Sequence, residues 1–305
     1  MRSLSKEQKA RLRRYLDERK ALIDHRLREY FPSIEGPAAV ISEAMTYSLF
    51  AGGKRLRPIL CMASASIVGG REKNVLPVAC ALECIHTYSL IHDDLPVMDD
   101  DDLRRGKPTN HKVFGDAIAL LAGDGLLTAA FRLMADAPSQ DHRSATVLLE
   151  VIRLVTEAAG CHGMIGGQVA DILAEGKKVG FSVVEFIHRH KTAALIRASV
   201  LAGVLLGGGS EQQADALGSY GEKIGLAFQI SDDILDIEGD SITMGKTVGT
   251  DDKRGKATYP ALLGLEKAKG IQTKLVDDAV EQLGQFGDRA EPLELIARYI
   301  IERKK

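Results

Sequence analysis

The feature that most limits the fold is the spacing of helix breakers. Gly/Pro or polar clusters fall at 31–38, 51–53, 69–75, 104–110, 136–141, 176–181, 207–211, 239–257 and 285–291. The runs between them, most of them roughly 15 to 28 residues, carry helical apolar spacing, and turn-bounded strand alternation is absent. Runs of that length predict an all-α bundle of long helices. Residues 5–30 alternate charges with spaced leucines, which predicts a surface helix for packing or dimer contact and no signal core. With 305 residues, 45% of them hydrophobic, the chain can bury a large core. No Pro/Ser-rich linker or abrupt charge change interrupts it, so one domain over 1–305 is expected.

Packing does not explain the stretch from His86 to Arg105. Asp93, Asp94 and Asp99 to Asp102 place six carboxylates within ten residues, followed at once by Arg104 and Arg105. Like charges that close cost stability unless something positive sits between them. A solvated acidic loop would account for Asp100 to Asp102. A second cluster lifts Asp93 and Asp99 above that reading. In FQISDDILDIEGD, residues Gln229, Asp232, Asp233 and Asp236 recur at i, i+3, i+4 and i+7, a polar stripe on one helix. The same helix carries an apolar stripe of Leu217, Tyr220, Ile224, Ala227, Phe228, Ile234 and Leu235. Carboxylates without histidines or thiols suit a hard cation, magnesium above all, with water and phosphate as further ligands. An EF-hand loop is a poor fit, because Arg104 and Asn110 stand where that loop needs glycine and glutamate.

Several local readings follow from spacing. Asp93 and Asp99 would sit about 120° apart on an unbroken helix. Pro96 lies between them, so the helix is expected to loosen near 95–97 and let Asp99 swing back. His86 is seven residues before Asp93, about 20° away, on the same face. GGKRLRP (52–58) opens a helix with two glycines and three cations, Lys54, Arg55 and Arg57, either an anion site or an ordinary basic helix start. The guanidinium forks of Arg104 and Arg105 match phosphate oxygens. Gly123 and Gly125 would let a neighbouring helix approach closely, with Asp124 read as a buried polar partner. Gln168 and Asp171 share a helix face, for pocket lining or a structural hydrogen bond. His188 and His190, at i, i+2, do not face one another, which argues against zinc. Cys61, Cys80, Cys84 and Cys161 form no CxxC pair and read as small core residues in a reducing compartment, hence a cytoplasmic location. The balance of 40 basic and 42 acidic groups argues against a nucleic-acid surface. No apolar run approaches about 20 residues, so no membrane span is expected.

The segments DDLPVMD (93–99), LRRG (103–106) and DDILD (232–236) resemble the metal-binding motifs of trans-isoprenyl diphosphate synthases. With GGKRLRP and KATYPALLGLEKA (256–268) the resemblance covers nearly the whole chain, and it is nearest to bacterial farnesyl diphosphate synthases. It implies a helical bundle around a central cavity and a homodimer. It implies three magnesium ions per active site, held by Asp93, Asp99, Asp232 and Asp236. Lys54, Arg57, His86 and Arg105 would then bind isopentenyl diphosphate, and Arg104 the allylic diphosphate. Lys191 would hold the leaving diphosphate, while the Thr192 hydroxyl and a nearby carbonyl would stabilise an allylic cation. Gln229 is expected to contact substrate. Lys246 and Lys256 resemble mobile lysines that cover the diphosphates. Tyr88 and Ser89, fifth and fourth before the first aspartate, would set product length.

The resulting expectation is a Mg²⁺-dependent prenyltransferase making mainly C15 farnesyl diphosphate from isopentenyl diphosphate and dimethylallyl or geranyl diphosphate. Residues 106–115 also resemble geranylgeranyl synthases, so C20 is the runner-up, with C10 behind it. A class I terpene cyclase shares an aspartate-rich motif but needs neither GGKRLRP nor a second motif of this form. A non-catalytic partner subunit would have degraded aspartate motifs, and both are intact.

Overall fold

A computed structural model describes residues 3–137, 142–238 and 256–303. The helices are α1 (Lys6–Tyr30), α2 (Ala39–Leu49), α3 (Leu56–Ile67), α4 (Glu72–Asp93), α5 (Asn110–Phe114) and α6 (Asp116–Ala135). Then come α7 (His142–Ala159), α8 (Met164–Ala174), α9 (Phe181–Ile187), α10 (Ala194–Leu206) and α11 (Glu211–Glu238). Three more, Tyr259–Leu263, Leu265–Glu281 and Glu291–Glu302, complete the described chain. The all-α reading holds.

The first helix begins where its sequence dictates. Ser5 accepts from the Gln8 amide while the Gln8 side chain accepts from the Ser5 amide, a reciprocal cap. Helices α3, α4 and α10 are apolar or small on nearly every face, and they form the centre of one core that draws residues from α1 to the last helix. Helix α4 packs against both α3 and α6, and α10 against α3, α7 and α11. Two helices, α4 and α6, are long and apolar enough to cross a membrane by length and composition, which the sequence reading did not anticipate. The apolar window of α4 is 78% buried inside this protein, as a core helix requires.

Three local readings need correction. The helix does not merely loosen at Pro96; α4 ends at Asp93, because a residue before proline is biased away from helical torsions. The chain then loops so that the Asp99 amide donates to the Asp93 carbonyl at 2.8 Å, which is how Asp99 returns to Asp93. A two-residue hairpin also appears, β1 (Leu103–Arg104) paired antiparallel with β2 (Lys107–Pro108). Arg105 (φ 55°) and Gly106 (φ 76°) form its turn, and positive φ at both central positions is what a tight hairpin turn demands. Finally, Cys161 and Asp124 are exposed, whereas Cys61, Cys80 and Cys84 are buried free thiols.

Candidate active site

One large cavity, about 1020 Å³, opens among α4, α6, α8, α11 and the segment joining α9 to α10. Asp93 and Asp99 line it from one side and Asp232 from another, with Arg57, His86, Arg104, Arg105, Lys191, Thr192, Gln229 and Lys256 between them. Tyr88, Ser89, Leu127, Met164, Ile165, Val169 and Ile172 line its apolar part. Sequence positions 57 to 256 therefore converge on one space.

Its basic end is built on the glycines of the 52–58 segment. Gly52 and Gly53 have φ of 104° and 123°. A Cβ on Gly53 would lie 2.8 Å from Arg105 Nη1, so only glycine leaves room for that guanidinium. Arg105 Nη1 donates to the Gly52 carbonyl at 2.5 Å. This anchor holds the left-handed Arg105 backbone in place. Arg57 is buried, its Nε has no hydrogen-bond partner among the described residues, and burial pulls its pKa down to about 10 against the attraction of Glu83 and Asp232. His86 lies among Arg57, Arg105 and Arg104; desolvation, then these positive charges, push it well below 6.5, so it is neutral. Arg55 does not join this cluster. It turns inward, donating to Glu83 at 2.7 Å, Asp24 at 2.8 Å and the Leu49 carbonyl at 2.6 Å. Lys54 is exposed and lies outside the cavity lining.

At the acidic end, burial raises the Asp93 pKa from 3.8 to about 6; Lys191 opposes the shift and Asp99 reinforces it. Lys256 Nζ reaches Asp99 at 3.3 Å. Arg104 grips Asp94 through Nε at 2.8 Å and Nη2 at 2.5 Å while still lining the cavity. Asp94 is thus the anchor of Arg104, a role the sequence left unassigned. Lys246 lies outside the described residues.

The polar stripe on α11 divides. Gln229 and Asp232 face the cavity, while Asp233 and Asp236 are buried and Asp236 is not among the lining residues. Asp233 accepts from the Gln229 amide at 3.1 Å and from the Tyr259 backbone N–H at 3.1 Å, with His188 Nε2 at 3.4 Å. Gln229 Oε1 in turn accepts from the Thr192 hydroxyl at 2.7 Å, so a buried relay fixes that hydroxyl. Thr192 and Lys191 reach the cavity because residues His188–Ala193 form a π-helical turn, a widening that re-aims side chains. Gly167 on α8 permits the approach, since a Cβ there would lie 2.2 Å from the Lys191 backbone nitrogen. Lys191 Nζ meets Asp171 Oδ2 at 2.7 Å.

Sequence reasoning also missed Arg303. Its buried guanidinium donates to Asp232 at 2.6 Å, to the Phe228 carbonyl at 2.9 Å and to Ser231 Oγ at 3.0 Å, and lies 3.9 Å over the Phe228 ring. Asp232 keeps an exposed side towards the cavity.

Among the described residues, no three His, Cys, Asp or Glu side chains gather closely enough to hold an ion alone. One or two carboxylates per ion, with the remaining positions left to water and phosphate, is how magnesium is usually held at a diphosphate. The donor set therefore fits magnesium and not zinc.

A helical bundle with two aspartate motifs facing arginines and lysines across one cavity is the arrangement of enzymes that ionise prenyl diphosphates. Residues 38–293 match the polyprenyl synthetase family, and the chain belongs to it. It is a prenyltransferase of the trans-prenyl synthase class. It is 52% identical over 255 residues to a farnesyl diphosphate synthase of Geobacillus stearothermophilus, covering 84% of this chain and 85% of that one. It is 50% identical over 268 residues to the large subunit 1 of a heterodimeric geranylgeranyl pyrophosphate synthase of Arabidopsis thaliana, covering 87% and 72%. Among solved structures, an FPP/GFPP synthase from Zymomonas mobilis superposes with TM-score 0.86 at 42% identity, covering 95% and 99%. A geranyltransferase from Helicobacter pylori, complexed with magnesium and isoprenyl diphosphate, superposes with TM-score 0.82 at 32% identity, covering 99% and 98%.

Proposed function

We propose that this chain is a single-domain, homodimeric, cytoplasmic farnesyl diphosphate synthase that joins isopentenyl diphosphate to dimethylallyl and then geranyl diphosphate. The observation that carries the reading is the apolar part of the cavity: Tyr88, almost fully buried and one to two turns before Asp93, stands beside the small Ser89 where a growing chain would run. Relatives at similar identity are named for both C15 and C20 products, so the Tyr88 ring decides between them in this account.

Asp93, Asp99 and Asp232 would hold magnesium, which supplies positive charge to the allylic diphosphate as its C–O bond breaks. Asp236, buried away from the lining, is assigned a weaker share. Arg104, Lys191 and Lys256 bind the departing diphosphate, which takes the electron pair of that bond. Thr192, fixed by Gln229, turns its oxygen towards the allylic cation. Arg57, Arg105, neutral His86 and, from outside the lining, Lys54 orient isopentenyl diphosphate so that its double bond attacks the cation. Lys246 joins Lys256 in covering the diphosphates. The proton then lost goes to the departing diphosphate, whose oxygens become basic as the C–O bond breaks beside the cation. The chain's contribution is positioning and electrostatics.

Tyr88→Ala tests the product reading. Products from isopentenyl and geranyl diphosphates should shift from C15 to C20 or longer by about tenfold in ratio, the discrimination a large apolar truncation gives. An unchanged product spectrum would remove Tyr88 as the stop.

A further inference from the structure

Tyr88 projects from the flank of α4, about 140° from Asp93, so its ring closes the cavity only if something holds it there. No hydrogen bond among the described residues fixes its hydroxyl. Its defined ring neighbour is His92, one turn later on the same flank. The two rings meet edge to face, with centroids 5.6 Å apart and an interplanar angle of 76°. His92 is itself braced from behind. Its Nε2 lies 2.9 Å from the Leu120 carbonyl on α6, and its ring rests over Gly123. A Cβ on Gly123 would fall 2.1 Å from Nε2 and 2.4 Å from Cδ2. Glycine is a poor residue for the middle of a 20-residue helix, where alanine is intrinsically better. Its presence at 123 makes room for this imidazole. His92 also lines the cavity directly.

We propose that His92 and Gly123 are product-length determinants: the bare backbone at 123 seats the His92 ring, and that ring holds Tyr88 across the end of the substrate cavity. The inference rests on the reading of Tyr88 as the end wall. It makes the depth of the cavity depend on the contact between α4 and α6, and not on residue 88 alone. A larger residue at 123 drives the imidazole away from α6, towards Tyr88 and the cavity, and shortens the space. Loss of the imidazole lets the Tyr88 ring fall back towards α6 and lengthens it.

The test measures product length from isopentenyl diphosphate with dimethylallyl and with geranyl diphosphate at saturating Mg²⁺. His92→Ala should raise the C20:C15 ratio about tenfold. Gly123→Ala should move products the other way, raising the C10:C15 ratio when dimethylallyl diphosphate is the starter. Combining them is the decisive arm. With the imidazole gone, the methyl added at position 123 has space, so Gly123→Ala/His92→Ala should fold and behave like His92→Ala. That arm also covers a Gly123→Ala protein too unstable to assay. A residue that merely supports the fold would change total turnover without moving product ratios in opposite directions. If Tyr88→Ala lengthens products while His92→Ala does not, the brace is overturned and the Tyr88 wall stands. If neither changes the ratio, both are overturned.

Discussion

Asp93 should act against the stability of the metal-free protein while serving the reaction. Its pKa stands at about 6 instead of 3.8, chiefly through burial and with help from Asp99, so its ionised form is disfavoured in the fold by about 2 units. At ~1.4 kcal/mol per unit this is about 3 kcal/mol, trimmed to about 2 by the partial exposure of the carboxylate. The folded state binds the proton more tightly than the unfolded chain. The penalty is therefore absent below about pH 3.8, grows as pH rises through the interval to 6, and is complete above it. Asp93→Asn is nearly isosteric and cannot ionise. In urea melts with EDTA at pH 8 it should be about 2 kcal/mol more stable than the parent, with roughly half that advantage at pH 5. The same variant should lose at least ~10³-fold in turnover with saturating Mg²⁺. A variant less stable than the parent at pH 8, or an advantage that grows towards pH 5, would mean that burial does not disfavour the ionised Asp93 carboxylate.

Two further outcomes follow from the arginines. Arg57→Ala should raise KM for isopentenyl diphosphate far more than for the allylic substrate, with the reverse bias in Arg104→Ala; equal effects in steady-state kinetics would mean the two anion sites are not divided this way. Arg303→Met keeps the bulk over Phe228 but frees the Asp232 carboxylate, so Mg²⁺ affinity measured by calorimetry with a bound diphosphate should fall about 10- to 100-fold, as loss of a partner to a ligating carboxylate does. Tighter Mg²⁺ binding would show instead that Arg303 acts as a competing charge.

What was legible in the sequence was whatever repeats at helical spacing or clusters locally. The breakers marked the helices because glycine, proline and polar clusters act on the backbone where they stand. Aspartates dense enough to repel each other marked the acidic lining of the cavity for the same reason. Contacts made across the fold left no such trace. Asp94 holds Arg104 around a chain reversal that no helical period describes, and Arg303 meets Asp232 from 71 residues away. The α11 stripe divides in the fold because spacing places Asp236 beside Asp232, whereas packing decides which carboxylates meet solvent. Arg55 looked like its neighbours Lys54 and Arg57, yet a left-handed backbone and the buried Glu83 turn it into the core. The π-helical turn that delivers Lys191 and Thr192 has no signature in a run such as HRHKTA.

Head-to-tail joining of two diphosphate substrates that stops at fifteen carbons is the reaction proposed for this cavity. It is tested most directly by chromatography of products from purified protein, Mg²⁺, isopentenyl diphosphate and geranyl diphosphate, beside a control lacking isopentenyl diphosphate. Farnesyl diphosphate should be the main product, and geranyl diphosphate alone should not turn over. Consumption of geranyl diphosphate without isopentenyl diphosphate, or a main product of twenty carbons, would contradict it.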